Sequence, residues 1–485
     1  MSRQVASPTP ASDPDEPRSL SLRTALIGLR RGFDALGVRN YRLYWLGQVV
    51  SLVGTWMQQV SLPWLVLALG GSPLQLGIVA ALEFAPATLL APFGGVFADR
   101  VDKRHVLIGA QVASAIQAFL LFVLAVTGVV EIWMVMVLGL WRGFVNAAEM
   151  PTRQALAADL VPRPLLANAI ALNSMAFNSA RVVGPAAAGI IIGIGTVATG
   201  SAMAGVAVNF AINAISFGAV LVALLMMNPR EIRRGPRPEK HPPVLHSLRE
   251  GFRFSLRTPL VLWSLILLGG IASFGFNFQI LLPLFSSDVL HLGAEGYGGL
   301  YAVMGIGSLL GSLTLAVMQR RRVIPLMIVG GLIFCALLAG IGFVRTLLPL
   351  AALVAGVGYF SMLMVNTINA TVQANVPDAL RGRVMSLYVM VFAGSAPIGG
   401  IFAGAVAEAW GTAAAFLIGA LLSAVTVFAV AIGLRQAAAR GTLGVTMLDA
   451  ASMAEEPGTV RPRMRPTPAR RVVEEGPGAR SGLRP

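Results

Sequence analysis

Cysteine, lysine, histidine and interior charge are all scarce in this chain of 485 residues. The one cysteine, Cys335, cannot form an intrachain disulfide, and inside an apolar run it reads as a small buried apolar residue. Lysine occurs only at Lys103 and Lys240, and neither ends a Gly-Lys-Ser/Thr phosphate loop, which excludes ATP hydrolysis by that route. The four histidines, His105, His241, His246 and His291, lie in or beside loops, and neither His-Glu-x-x-His nor Gly-x-Ser-x-Gly occurs. With no nucleophile paired to a base, nothing points to an enzyme, and no metal or organic cofactor is implied. Charged residues make up 12% of the chain against 56% hydrophobic, with a mean hydropathy of +0.74, which excludes an ordinary soluble domain and a disordered chain. No compact apolar stretch precedes Tyr41, so no cleavable signal peptide is expected and the first span serves as the insertion signal.

What the chain does have is twelve long apolar runs. A hydrocarbon core about 30 Å thick needs about 20 apolar residues per helix, because only helices and closed barrels satisfy every backbone group without water. These runs lack the polar alternation of an outer-membrane barrel, so the fold class is an all-α polytopic membrane protein with 12 transmembrane helices. The basic stretch from Asn228 to Thr258 divides the runs six and six. The expected organisation is a tail at 1–42, an N-terminal half at 43–227, a linker at 228–259, a C-terminal half at 260–434 and a disordered tail at 435–485. In the first tail, Leu20, Leu22, Leu26, Leu29 and Phe33 recur at helical spacing against Arg23, Arg30 and Arg31, the pattern of an amphipathic helix lying on a membrane surface.

The net charge of +15 is topological rather than a nucleic-acid footprint. Lys and Arg concentrate in both tails and in every second loop, and Arg345 alone occupies a loop of opposite parity. The positive-inside rule then places both termini and the linker in the cytoplasm, with anionic lipid headgroups as partners of the basic residues.

Leu29-Arg-Arg-Gly32-Phe33 before Trp45 is echoed by Leu248-Arg-Glu-Gly251-Phe252 before Trp263, and Val161-Pro162 by Val376-Pro377. Two pseudo-repeated halves suit a transporter that rocks one half against the other around a central site within a single chain, so a monomer suffices. Between the second and third spans stands Gly95-Val-Phe-Ala-Asp99-Arg100-Val-Asp102-Lys103-Arg104. This stretch resembles the loop signature of the major facilitator superfamily, departing from it at Asp102, where that pattern has glycine. With Asn146-Ala-Ala-Glu-Met-Pro151-Thr-Arg153, Val161-Pro-Arg-Pro-Leu-Leu-Ala-Asn168 and Arg381-Gly-Arg383-Val-Met-Ser-Leu-Tyr388, it resembles the drug and siderophore exporter branch, macrolide-efflux and enterobactin-exporter proteins among them. The resemblance implies a major facilitator fold in a bacterial plasma membrane. It also implies secondary active efflux of small amphipathic solutes, and a gate formed by Gly95, Asp99, Arg100, Lys103 and Arg104 against the start of span 11, near Gly382 to Val384. Uptake, lipid transport and a non-transport receptor or scaffold on the same fold are the alternatives.

Gly184-Pro185-Ala-Ala-Ala-Gly189 in span 5 resembles the glycine-proline signature of superfamily antiporters and reads either as a bend or as close helix packing. Charge within a span is costly and usually faces a cavity or a partner. The candidates for proton coupling are Glu83, Arg142, Glu149 and Arg181; a rise of about 1.5 Å per residue puts Glu83, Arg142 and Arg181 at a similar depth, roughly 22–24 Å, where one carboxylate would compensate two guanidinium groups. Arg142, Asn146, Glu149 and Arg153 form one stripe on span 4, and Ser174, Asn178 and Arg181 another on span 5. Burial favours the neutral form of a carboxyl and a nearby cation favours its charged form, the balance that proton exchange requires. Later spans offer neutral polar groups: Asn277 and Gln279 in span 7, and Asn366, Asn369 and Gln373 in span 10. Charged residues on one wall and amide-bearing apolar surface on the other suit a bulky amphipathic solute.

Overall fold

The computed structural model describes residues 32–100, 102–232, 244–317 and 323–443; for residues 91–100, 244, 245, 247, 316, 317 and 323 it describes the backbone alone. Residues 20–31 of the expected amphipathic helix, linker residues 233–243 and the tail from 444 onward lie outside the described residues.

Six long helices come first: α1 (Arg39–Ala68), α2 (Pro73–Arg100), α3 (Lys103–Thr127), α4 (Ile132–Asp159), α5 (Leu166–Thr199) and α6 (Ala202–Met226). A shorter helix, α7 (Val244–Arg257), follows in the linker. Then come α8 (Pro259–Phe274), α9 (Phe278–Leu284), α10 (Ala294–Val317), α11 (Val323–Phe343), α12 (Leu347–Ala374), α13 (Asp378–Trp410) and α14 (Thr412–Ala439). Among the described residues there is no strand, and ten helical segments are long and apolar enough to cross a membrane, with α8 and α9 counted as one segment. The long helices outside that set, α1 and α4, carry Gln48, Gln58, Arg142 and Glu149 in their interiors.

Local chemistry sets the helix ends. Gly128 (φ 70°) closes α3 and Gly200 (φ 75°) closes α5, both in the left-handed conformation that costs glycine nothing. Asn40 and Asn228 exchange hydrogen bonds, with Asn40 Nδ2 donating to Asn228 O at 2.9 Å and Asn228 N to Asn40 Oδ1 at 3.1 Å, so the start of α1 is pinned to the end of α6. Apolar side chains such as Ile215, Leu225, Leu421 and Phe428 are exposed on the outside of the bundle, the surface a protein presents to lipid rather than water.

Two boundaries differ from the sequence expectation. Span 7, read as one run, is interrupted at Gly275-Phe276-Asn277, where a carbonyl freed by the break, Ser273 O, accepts from Asn277 Nδ2 at 2.9 Å. Irregular backbone at membrane depth survives only where protein or a cavity surrounds it, and the ring of Phe334 leaves no room for a Cβ at Gly275. The last helix continues to Ala439, past the expected end at 434, because Arg435-Gln-Ala-Ala-Ala retains high helix propensity.

Helices α1–α6 meet α8–α14 chiefly along two crossings, α2 on α13 and α5 on α10. Both are closest at the ends remote from the basic loops. A Cβ on Gly77 would strike Gly400 O, one on Gly404 would strike Pro73 O, and one on Gly298 would strike Pro185 O. There too, Glu408 Oε2 accepts from Ser72 Oγ at 2.6 Å and from Leu74 N at 2.9 Å, tying α13 to the start of α2.

Candidate functional site

The charged stripe on α4 faces α3. Arg142 Nη1 donates to Ser114 Oγ at 2.5 Å and lies 3.3 Å from Glu149 Oε2, with its guanidinium over the Phe217 ring of α6. Glu149 also accepts from Gln111 Nε2 at 3.1 Å and lies 3.7 Å from Arg153. Arg142 and Glu149 are both buried, so this is a buried ion pair further braced by the neutral Ser114 hydroxyl and Gln111 amide. Asn146 lies between them in sequence and is half-buried.

Glu83 stands apart. A Cβ on Gly143 would meet Glu83 O and the Pro86 ring, so Gly143 lets α4 approach the turn of α2 that carries Glu83. The Glu83 side chain is 8% exposed and makes no hydrogen bond or ion pair among the described residues, although Arg142 and Tyr301 are close enough to act on it electrostatically. It lines a small cavity with Gln59, Leu62, Pro63, Leu76, Val79, Ala80, Gln279 and Ile280, so α1, α2 and α9 meet there across the junction of the two helix groups. The expected sharing of one carboxylate by two guanidinium groups is not what is found: Arg142 pairs with Glu149, and among the described residues Arg181 has no carboxylate within ion-pair distance. Equal depth does not fix the azimuth at which a side chain leaves its helix, and Glu149 lies on Arg142's own face two turns on. Arg181 instead lies over Trp56, 5.8 Å from guanidinium carbon to ring centroid, beside Phe177 and Tyr301.

The signature loop is partly described. Asp102 is the N-cap of α3 and accepts from Arg104 N at 3.0 Å and His105 N at 3.3 Å. Its backbone is extended (φ −70°, ψ 107°), so glycine is not required at the position where this chain departs from the pattern. Lys103 Nζ bonds Asp159 Oδ2 at 2.6 Å, and Arg104 Nε donates to Leu224 O at 2.7 Å, which fastens the base of α3 to α4 and to the terminal carbonyls of α6. Gly95, Asp99 and Arg100 belong to α2, and their side chains lie outside the described residues. At the start of α13, Arg383 is ion-paired with Glu250 of α7, and Gly251 lies against Arg383 O.

Gly184 packs against Trp56 and Val53 O of α1, while Gly189 faces Ala294 O and Gly298 of α10; close approach is what these glycines provide in α5. Asn178 donates to Ser174 O at 2.8 Å within its own helix, Asn366 to Ser312 Oγ of α10 at 3.1 Å, and Asn369 accepts from Gln373 at 2.6 Å. Residues that sequence reasoning passed over include Trp56, Gln59, Gln111, Ser114 and Tyr301. For Gln111, Ser114 and Gln117 a signal existed, since their spacing of three places them on one face of span 3. Tyr301 had none, because its role depends on α10 meeting α1.

Ionisable groups held at this depth, at a junction between two helix groups and away from the lipid face, belong to a membrane transporter. Over residues 31–456 the chain matches the family described as transmembrane secretion effector. It belongs to that family, within the major facilitator superfamily. It is 25% identical over 382 residues to the staphyloferrin A transporter of Staphylococcus aureus (strain NCTC 8325 / PS 47), covering 78% of this chain and 92% of that one. It is 27% identical over 408 residues to the enterobactin exporter EntS of Escherichia coli O1:K1 / APEC, covering 82% and 92%. Two solved structures share the fold. A bacterial homolog to the human lysosomal transporter Spinster, inward-facing and unoccupied, aligns with a TM-score of 0.64 at 16% identity over 84% of this chain and 98% of that one. The nucleoside transporter NupG aligns with a TM-score of 0.60 at 17% identity over 82% and 99%. The chain is a multi-pass membrane transporter of the major facilitator type, and its family and relatives are transporters rather than enzymes.

Proposed function

We propose that this chain is a proton-coupled exporter of small amphipathic solutes, drugs or siderophores among them, working by alternating access. The observation that carries the reading is Glu83, a buried carboxyl that makes no hydrogen bond among the described residues and lines a cavity at the junction of the two helix groups. Such a group takes up a proton when one solvent reaches it and releases it to the other. Glu149, already braced by Arg142, Arg153 and Gln111, is the second candidate. Likeness to an enterobactin exporter supports the efflux direction.

The rocking bodies are residues 43–227 and 260–434, joined by the linker at 228–259, and one chain forms the whole path. The concentration of basic residues in alternate loops supports cytoplasmic termini in a bacterial plasma membrane, on which reading the glycine crossings and the Glu408 bonds lie toward the outer face. Asn146, Asn178, Asn277, Asn366 and Asn369 line the path as polar contacts for the solute, and Asp99 with Arg100 gates its inner mouth near Gly382 to Val384. On α7, exposed Phe252 and Leu256 adjoin exposed Arg249, Arg253 and Arg257, a surface suited to anionic headgroups of the inner leaflet.

The test is solute-triggered proton movement in proteoliposomes carrying an interior pH dye, challenged with lipophilic cations, macrolides and siderophores. Wild type should move protons with at least one class, and Glu83→Gln should lose that flux while still binding the solute. Flux that survives Glu83→Gln removes Glu83 and moves the assignment to Glu149.

A further inference from the structure

Arg142, Arg153 and Arg181 all sit inside membrane-spanning helices, yet only the first two have an acid. Among the described residues Arg181 has no ion pair, and its buried Nε makes no hydrogen bond. What surrounds Arg181 is aromatic. Its guanidinium lies over Trp56, which meets Phe177 edge-on at 5.5 Å and Tyr301 at 6.2 Å. One turn earlier in α10, Tyr297 meets Tyr301 at 5.9 Å and stacks on Trp64 at 6.4 Å, and its hydroxyl is likewise buried without a partner among the described residues.

Arg181 is half-buried with its Nε closed off from water, and a ring face compensates such a guanidinium only in part, so the position favours an anion. The unfilled valences are an N–H on α5 and an O–H on α10, one from each side of the junction, with flat walls from α1 and α10 between them. An incoming group that satisfies them must bring acceptors, carry negative charge and be flat. A cation would meet like charge with no carboxylate bound to it, so the same box rejects it.

We propose that Arg181, Trp56 and Tyr301 form a subsite for a planar anionic group of the transported solute, an aromatic or conjugated carboxylate, sulfonate or phenolate. Arg181 is the counter-ion, its planar fork matched to two acceptor oxygens. Trp56 and Tyr301, packed against each other at 6.2 Å, present the aromatic surface on which the group lies. This rests on the central path proposed above and narrows its solute class from amphipathic in general to anionic. Since α5 and α10 lie on opposite sides of the junction, a solute held by both also links the two bodies that must move.

The test uses the full chain in nanodiscs with three probes of one shape and different charge: 2-naphthoate, 2-naphthylmethanol and 2-naphthylmethylammonium, with binding measured by calorimetry. In wild type the naphthoate should bind about 10- to 100-fold tighter than the alcohol, the range of a hydrogen-bonded charge, and the ammonium should bind weakest. Arg181→Gln should erase the advantage of the naphthoate and leave the alcohol unchanged. Arg181→Lys should recover part of it, and Trp56→Leu should weaken naphthoate and alcohol alike. Equal binding of anion and alcohol by wild type, no binding of the naphthoate, or a charge preference that survives Arg181→Gln would each overturn the subsite. The wild-type charge series needs no variant to fold. Charge-selective binding without proton-linked flux would uphold the subsite and remove the coupled-export mechanism, whereas coupled flux without charge preference would do the reverse.

Discussion

Helices α1–α6 and α8–α14 are built from similar composition and held by different forces. In the first group, buried polar side chains bond across helices. Gln58 of α1 donates to Gln117 of α3 at 3.2 Å and accepts from Asn213 of α6 at 2.7 Å. Asn209 of α6 donates to Ser61 of α1 at 2.9 Å and to Ala188 O of α5 at 3.1 Å, and the Arg142–Glu149 brace joins α4 to α3 through Ser114 and Gln111. In the second group most buried hydroxyls turn back on their own helix: Ser264 to Leu260 O, Ser308 to Met304 O, Thr367 to Leu363 O and Thr371 to Thr367 O. Contact between helices there comes from glycine instead, with Gly307 against Ala355 O, Gly311 against Tyr359 O and Gly358 against Met304 O. Inside lipid no hydrophobic force drives helices together, so hydrogen bonds and close packing are the two available means. The first group combines its polar bonds with close glycine contacts such as Gly205 against Ile191 O, while the second relies chiefly on packing, with Asn366–Ser312 and Tyr359–Thr314 as its cross-helix bonds. Directional bonds fix register, while small-residue contact permits sliding and rotation. The first group is therefore the stiffer body, and the broken α8–α9 segment belongs to the more compliant one.

That contrast is broken most decisively at Arg142. Arg142→Leu leaves Glu149 buried with only Gln111 and the partly exposed Arg153, and should cost about 3 kcal/mol, the low end for a broken buried pair. Thermal unfolding in detergent measures it. A loss no greater than that of Asn366→Leu would mean the ionic brace does not distinguish the groups. The matching insult to the second group is Gly307→Val, where the added side chain meets Ala355 O; overpacking there should cost about 1–3 kcal/mol and separate α10 from α12.

Smaller effects sharpen the picture. Gln58→Leu removes bonds to two helices and should cost up to about 1.7 kcal/mol, against about 0.6 kcal/mol for Asn366→Leu, which loses one bond to Ser312. If the order reverses in paired melting curves, the polar network of α1, α3 and α6 is not what stiffens the first group.

How far the sequence disclosed this follows from the range of each interaction. Helices were legible because lipid imposes length and apolarity on every span, and the in-span charges were legible because each interrupts such a run. The Arg142–Glu149–Arg153 stripe was legible too, since all three share one helix face. Partners contributed by another helix were not. Glu83 opposite Gln279, and Arg181 opposite Trp56 and Tyr301, require knowing how α1, α2, α5, α9 and α10 are rotated, and a chain without periodic polarity on its apolar helices carries no such information. The break after Phe274 was hidden for a similar reason: Gly275 and Asn277 are ordinary in a membrane helix until Phe334 and Ser273 are placed beside them.

The smallest predicted effect separates a local role from a cross-helix one within the first group. Asp102 replaces the glycine of the superfamily signature, and its carboxylate accepts the free N–H groups of Arg104 and His105 at the start of α3. If capping is what the aspartate contributes, Asp102→Ala should cost about 1 kcal/mol and Asp102→Gly only a few tenths, because glycine is itself a tolerated N-cap. Melting curves for both variants, with flux measured on the same preparations, decide between two accounts of the departure from the signature. Near-wild-type flux in Asp102→Gly would make the aspartate a cap interchangeable with the signature's glycine. Loss of flux in a variant that melts normally would instead make Asp102 part of the gate with Asp99, acting across the junction and not only on its own helix.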